Sequence, residues 1–305
     1  MHLHLNDAGP YSRGFGFAMK WFRSWLHGLA ALVRANSHQR ATRSGTLICE
    51  MRLLLYNIRY GLGLGSAVHW PIPGMGYLLG NRGNLQRIID FIRAQDPDIV
   101  GLVEVDTGSI RTRRVNQAEA IGRALGHYSV YQCKYGVASV NQHLPILRKQ
   151  GNAFLAAPRV HGERFHYFEK GIKRLIIELE LENCAVFLVH LSLKYRHRQR
   201  QLHDLHDLVT AASKPVIIAG DFNTFWGEHE IYLFMKATKL RSANARGLPS
   251  YPSRSPRKEL DFVLYGDGIR VTNFAIPSVS FSDHLPLICD FEIERKTAAA
   301  VRYGS

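Results

Sequence analysis

The sequence predicts an α+β fold, in which mixed β-sheets pack face to face with helices outside. Short apolar runs of strand length recur from Leu53 to Ile293, several of them as hairpin-like neighbours. Amphipathic helical stretches fall between them without the strict alternation of a doubly wound parallel sheet. At 305 residues, 46% apolar and 21% charged, the chain can bury the core such a stack requires.

Residues 1–50 stand apart, with basic side chains outnumbering acids. Near 17–34, Trp21, Phe22, Trp25, Leu26, Leu29, Leu32 and Val33 share one helical face, opposite Lys20, Arg23, His27 and Arg34. That pattern suits a helix lying in an anionic membrane interface. A transit-like segment, a helix docked on the next domain, and sequence upstream of a start at Met51 are the competing readings. Lys20 and Arg23 interrupt any secretory apolar core.

From Met51 the composition is that of a folded domain, expected over 51–295 with a short tail at 296–305. Leu53–Tyr56 reads as a buried strand delivering Asn57. A Gly- and Pro-rich loop from Gly61 to Gly80 is apolar for a loop, carrying Trp70, Met75 and Tyr77. Leu85, Ile88, Ile89 and Ile92 predict a helix that stops before Pro97. Asp98–Val103 is the next strand, ending in Glu104, and Asn116–Leu125 is a helix closed by Gly126. Strands follow at 128–132, 152–155, 174–181 and 185–189, the third alternating as a sheet with one wetter face. A basic helix from His197 to Thr210, strand 216–219, a helix near 228–237 and strands 261–264, 269–274 and 287–293 complete the chain.

The formal charge of +14 calls for an anionic partner, whether nucleic acid, a phosphorylated small molecule or a phospholipid surface. Four dispersed cysteines without a CxxC pair read as buried thiols rather than as a zinc site or disulfides. No apolar run approaches the ~20 residues needed to span a bilayer.

Pro215–Asn223 organises the rest. Its β-branched run ends at Gly220, and Asp221 and Asn223, two apart in extended chain, face one pocket. Polar residues end other strands in the same way: Asn57, Glu104 and His190. Asp261 opens a strand, and Ser282-Asp283-His284 precedes the last one. Singly, each is a turn former or a structural histidine. Together they suit metal-assisted attack on a phosphoester: oxygen ligands for Mg²⁺, a carboxylate base for water, and histidines for phosphoryl oxygens.

These stretches resemble, in chain order, the endonuclease/exonuclease/phosphatase superfamily. The matching pieces are Tyr56-Asn57-Ile58, Asp98 to Val105, Gly151 to Leu155, Lys173-Arg174, Val189-His190-Leu191, Arg198 with Gln201, Gly220 to Asn223, Leu260 to Val263, and Ser282 to Pro286. The resemblance implies a four-layer α/β sandwich of two mixed, mostly antiparallel sheets, with the site at one end. It implies Asn57, Glu104 and Asp283 as metal ligands, with Mg²⁺ bound and Mn²⁺ able to substitute. It makes His190, Asp221, Asn223, Asp261, Asp283 and His284 catalytic, and gives Asn152 and Arg174 to phosphate binding. Arg59 stands where some nucleases carry an acid. The His190–His284 pair is closer to deoxyribonuclease-like and sphingomyelinase-like members than to abasic-site enzymes. The expected activity is Mg²⁺-dependent phosphoester hydrolysis of nucleic acid, or of phospholipid or inositol phosphate at a membrane. A non-catalytic binding protein is the rival class. Lys170, Lys173, Arg174, Lys194, Arg196, Arg198 and Arg200 form a candidate phosphate track. A cytoplasmic monomer, with peripheral membrane contact through the N-terminal helix, completes the expectation.

Overall fold

The computed structural model describes residues 39–41, 47–63, 82–133, 146–169, 173–227 and 229–294. The helix expected near 17–34 and most of the apolar loop, with Trp70 and Tyr77, lie outside the described residues. Lys170 lies outside them too.

Thirteen strands form two sheets among the described residues. The first runs β12(Ile269–Ala275), β13(Leu287–Glu294), β2(Leu47–Asn57), β3(Ile99–Asp106), β5(Gln150–Ala156), β4(Tyr128–Cys133), with β1(Gln39–Ala41) also on β2. The second runs β10(Arg241–Ser242), β11(Asp261–Tyr265), β9(Val216–Asp221), β8(Ala185–His190), β7(Leu175–Glu180), β6(Gly162–Tyr167). Each sheet holds one parallel pair, β2 with β3 and β8 with β9, among antiparallel neighbours.

The layers follow from alternation along the strands. Leu53, Leu55 and Phe291 of the first sheet meet Ile177, Leu188 and Val263 of the second in one core between the sheets. On the outer face of the first sheet, Leu54, Tyr56 and Val100 pack on Ile88 and Ile92 of α1(Arg82–Gln95) and Ile121 of α2(Gln117–Leu125). Outside the second sheet, Val189, Ile218 and Phe262 pack on Leu202 and Leu205 of α3(Tyr195–Ala211) and on Ile231 and Phe234 of α4(His229–Thr238). The result is the four-layer sandwich the sequence predicts.

Asn116 caps α2 by accepting from the Ala118 and Glu119 amides, and Gly126 ends that helix at φ +73°. Two expectations need correction. The wetter face of β7 is largely covered: Glu178 is buried, because β6 lays Arg164 and His166 against it at 2.9 and 2.7 Å. The pattern Gly-Glu-Arg-Phe-His-Tyr of β6 is too charged to read as a strand in sequence, and it survives as one because it is a sheet edge. Arg198, expected on a phosphate track, is instead fully buried, ion-paired with Glu230 and donating to the Ser192 and Leu193 carbonyls.

Candidate active site

The two parallel pairs aim their carboxyl ends at one end of the sandwich. There they deliver Asn57, Glu104, His190 and Asp221. Antiparallel neighbours begin at the same end, so β5 contributes Asn152, β11 contributes Asp261, and the approach to β13 contributes His284. The approach to β7 adds Lys173.

Asp221 is the centre. Asn57 Nδ2 donates to its Oδ2 at 3.1 Å and the Asn223 amide donates to its Oδ1 at 3.0 Å. His190 Nε2 lies 3.4 Å and His284 Nε2 3.9 Å from Oδ2. Gly220, paired with Val189, allows this crowding: a Cβ on it would meet the Val189 carbonyl oxygen at 2.1 Å. Burial, with the Asp261 and Glu104 charges adding to it and His284 and Lys173 opposing, pushes the Asp221 carboxyl up to about 6. Asn223, at φ +53°, turns the chain away and donates Nδ2 to the Leu191 carbonyl at 2.9 Å.

His284 forms a dyad with Asp261. Its Nδ1 is 2.7 Å from Asp261 Oδ2, an oxygen that also accepts from Ser250 Oγ at 2.6 Å. Burial works against the imidazolium, but Asp261 and Asp221 outweigh it and push its pKa up to about 10. Its ring is 4.9 Å from that of Tyr251.

Glu104 sits at φ +58°, where β3 departs from regular pairing with β5 between Leu102 and Val105. Asn152 Oδ1 accepts from its amide at 3.4 Å. Two residues on, the Asp106 carboxylate takes the Gly108 and Ser109 amides and the Arg111 guanidinium in a fully buried ion pair, which anchors the chain leaving Glu104. The Glu104 carboxylate lies 3.9 Å from both Lys173 Nζ and His190 Nε2.

Sequence reasoning gave Lys173 no role of its own, reading it as part of the Lys173-Arg174 match and of the basic track. The Lys173 Nζ contacts His190 Nε2, and a lysine ammonium can only donate in such a contact. Arg174, the expected phosphate ligand, directly precedes β7, and its charge acts on Tyr167. Asp283 is held at the mouth, 3.4 Å from Arg59 Nε, with Ser282 Oγ donating to it at 3.2 Å.

A divalent cation fits this donor set. Asp221, Asp261 and His284 place one ligand atom each within 4.8 Å, but the dyad already engages His284 Nδ1, and a hard cation prefers oxygen. Glu104 and the Asn57 carboxamide oxygen suit it better. The upward-pushed Asp221 carboxyl marks a place where further positive charge is favourable. Asn152 Nδ2 and Asp261 Oδ1 are buried without a hydrogen-bond partner among the described residues; such atoms are costly unless a ligand or water meets them.

The sequence profile of the Endonuclease/Exonuclease/phosphatase family matches residues 54–284. The chain belongs to this family. Among sequence relatives, UPF0294 protein VP2298 of Vibrio parahaemolyticus serotype O3:K6 is 33% identical over 119 residues, which is 37% of this chain and 41% of that protein. The match thus spans less than half of that relative's length. An endonuclease/exonuclease/phosphatase family protein from Bacteroides thetaiotaomicron superposes with a TM-score of 0.61 at 13% identity, over 81% of this chain and 99% of that one. The human Nocturnin catalytic domain, with a bound sulfate anion, superposes with a TM-score of 0.58 at 21% identity, over 83% and 100%. These likenesses speak for the shared fold. No helix among the described residues is long and apolar enough to cross a membrane.

Proposed function

We propose that the chain is a Mg²⁺-dependent phosphodiesterase whose catalytic unit is 51–295 together with the start of β2. The supporting observation is Asp221: a buried carboxyl with its pKa pushed up to about 6, fixed by two amide donors between two histidines. A base titrating near neutrality is matched to taking a proton from water.

Glu104 and Asn57 would hold the cation, which when bound supplies Lewis-acid stabilisation of phosphoryl charge. Asp221 accepts the proton of the attacking water as the new P–O bond forms. His284, kept protonated by Asp261, donates from Nε2 to a phosphoryl oxygen. The Lys173–His190 pair holds one transferable proton between Nζ and Nε2 and gives it to the departing oxygen as the old P–O bond breaks. Asn223 holds the Asp221 carboxylate, while Asn152 Nδ2 offers its unused donor to the phosphate. Asp283 acts at one remove, by tethering Arg59 at the mouth.

Hydrolysis of bis(p-nitrophenyl) phosphate with added Mg²⁺ or Mn²⁺ tests the reading. Asp221→Asn should lower kcat by at least ~10²-fold, and chelation should abolish turnover. Undiminished turnover in that variant, or in chelator, refutes it.

A further inference from the structure

Eight large apolar side chains are exposed among the described residues, and five of them lie on two segments that follow β8 and β9. Leu193 and Tyr195 leave the end of β8, just past His190. Trp226 lies just past Asn223 at the end of β9, and Tyr232 and Leu233 follow near the start of α4. The other three, Ile110, Tyr128 and Tyr167, sit on separate elements.

The two segments form one platform. Arg198 donates to the Leu193 carbonyl and pairs with Glu230, which accepts from the Trp226 amide. A third segment joins them: Lys258 Nζ donates to the Phe225 carbonyl, and the Phe225 ring packs edge-on against Tyr251, which contacts His284. The exposed apolar groups are therefore held at the mouth of the catalytic pocket. Leu193 is 59%, Trp226 73% and Leu233 78% exposed. Five cations lie on these three segments: Lys194, Arg196, Arg254, Arg257 and Lys258. All are exposed, and none forms an ion pair with the other described residues.

We infer that this platform docks the protein on an anionic phospholipid surface, presenting headgroups to the pocket. Trp and Tyr favour the polar–apolar boundary of a bilayer, leucines enter the acyl edge, and unpaired Lys and Arg meet lipid phosphates. The leucines decide the partner. Single-stranded nucleic acid would use the aromatic rings and the cations, but gains no stacking from Leu193 and Leu233. The substrate side of this inference rests on the phosphodiesterase reading and narrows it to phosphoesters held at a lipid surface.

The test uses the full chain and vesicles of phosphatidylcholine with about a third phosphatidylglycerol. Wild-type protein should co-sediment with them, less so as NaCl rises. The triple variant Leu193→Ser, Trp226→Ser, Leu233→Ser should partition about tenfold or more weakly. These are exposed positions, so circular dichroism should be unchanged. Doxyl-labelled lipid should quench wild-type tryptophan emission more than that of Trp226→Phe. Absence of vesicle binding, equal partitioning of the triple variant, or equal quenching of the two proteins each overturns the inference. So does an oligo(dT) affinity that depends on Trp226 when vesicles are not bound. Hydrolysis of bis(p-nitrophenyl) phosphate by the wild type is read alongside. Vesicle binding without hydrolysis keeps the docking surface and removes the phosphodiesterase reading; hydrolysis without vesicle binding does the reverse.

Discussion

Replacing Asp261 by Asn separates charge from geometry in the His284 dyad. The carboxamide oxygen can occupy the place of Oδ2, accepting from His284 Nδ1 and from Ser250 Oγ as that atom does at 2.7 and 2.6 Å. The negative charge is gone. The rise of the His284 pKa from 6.5 to about 10 corresponds to roughly 5 kcal/mol, at about 1.4 kcal/mol per tenfold. Asp261 is its largest favourable cause, ahead of Asp221, so about half of that, 2–3 kcal/mol, should disappear. That is about 1.5–2 pH units, so the pKa should fall from about 10 to about 8. At pH 9 the imidazole is then largely neutral and kcat/KM should drop about tenfold, with most of it regained near pH 7. The assay is the pH profile of kcat/KM on a soluble phosphodiester at saturating cation. Wild type should hold its activity to about pH 9–10, while the variant's alkaline limb should move down by about 1.5–2 units. An unmoved alkaline limb would show that the imidazolium of His284 has no part in turnover.

Other perturbations address neighbouring groups. Glu104→Gln should weaken cation activation at least ~10-fold while leaving thermal unfolding of the metal-free protein nearly unchanged, read by titrating Mg²⁺ against activity. Lys173→Met should reduce kcat by ~10–10²-fold, since the proton shared with His190 is lost; unchanged kcat would return Lys173 to a structural role. Without metal, stability should fall from pH 6.5 towards 10, by at most about 1.4 kcal/mol per pH unit for this one proton. The sign follows from His284: its folded pKa is raised, so its contribution is complete below 6.5 and is lost through about 10. His284→Gln should flatten that slope in urea titrations. Arg198→Met should destabilise by roughly 3–5 kcal/mol, because Glu230 is left as a buried unpaired charge, and adding Glu230→Leu should restore much of it.

Much of the site was legible because buried strands are apolar runs, so a polar residue at a run's end is conspicuous. Asn57, Glu104, His190 and Asp221 all announce themselves in this way, and the structure brings them together. Lys173 did not, since it precedes its strand beside an equally basic Arg174; alternation with Leu175 was the available signal. Arg198 was misread as a surface cation although it stands four residues before Leu202 and seven before Leu205, on the inward face of α3. Helical spacing could have shown that. The left-handed backbone at Glu104 and the buried Asp106–Arg111 pair had no sequence signal, because both depend on contacts made only in the folded chain.

The catalytic gap straddles a seam. Asn57, Glu104 and His284 ride on one sheet, whereas His190, Asp221 and Asp261 ride on the other, and the Asn57–Asp221 and His284–Asp261 hydrogen bonds cross between them. The side chains between the sheets thus act as a shim that sets reactive distances from far away. Gly101 lies within that layer, where an added Cβ would stand 3.1 Å from Leu188 Cδ1 of the opposite sheet. Thickening the shim there would tilt one bank of reactive groups against the other without touching any of them. Differences in rate between close relatives of this protein can accordingly be written in core volume, in residues that no substrate ever meets.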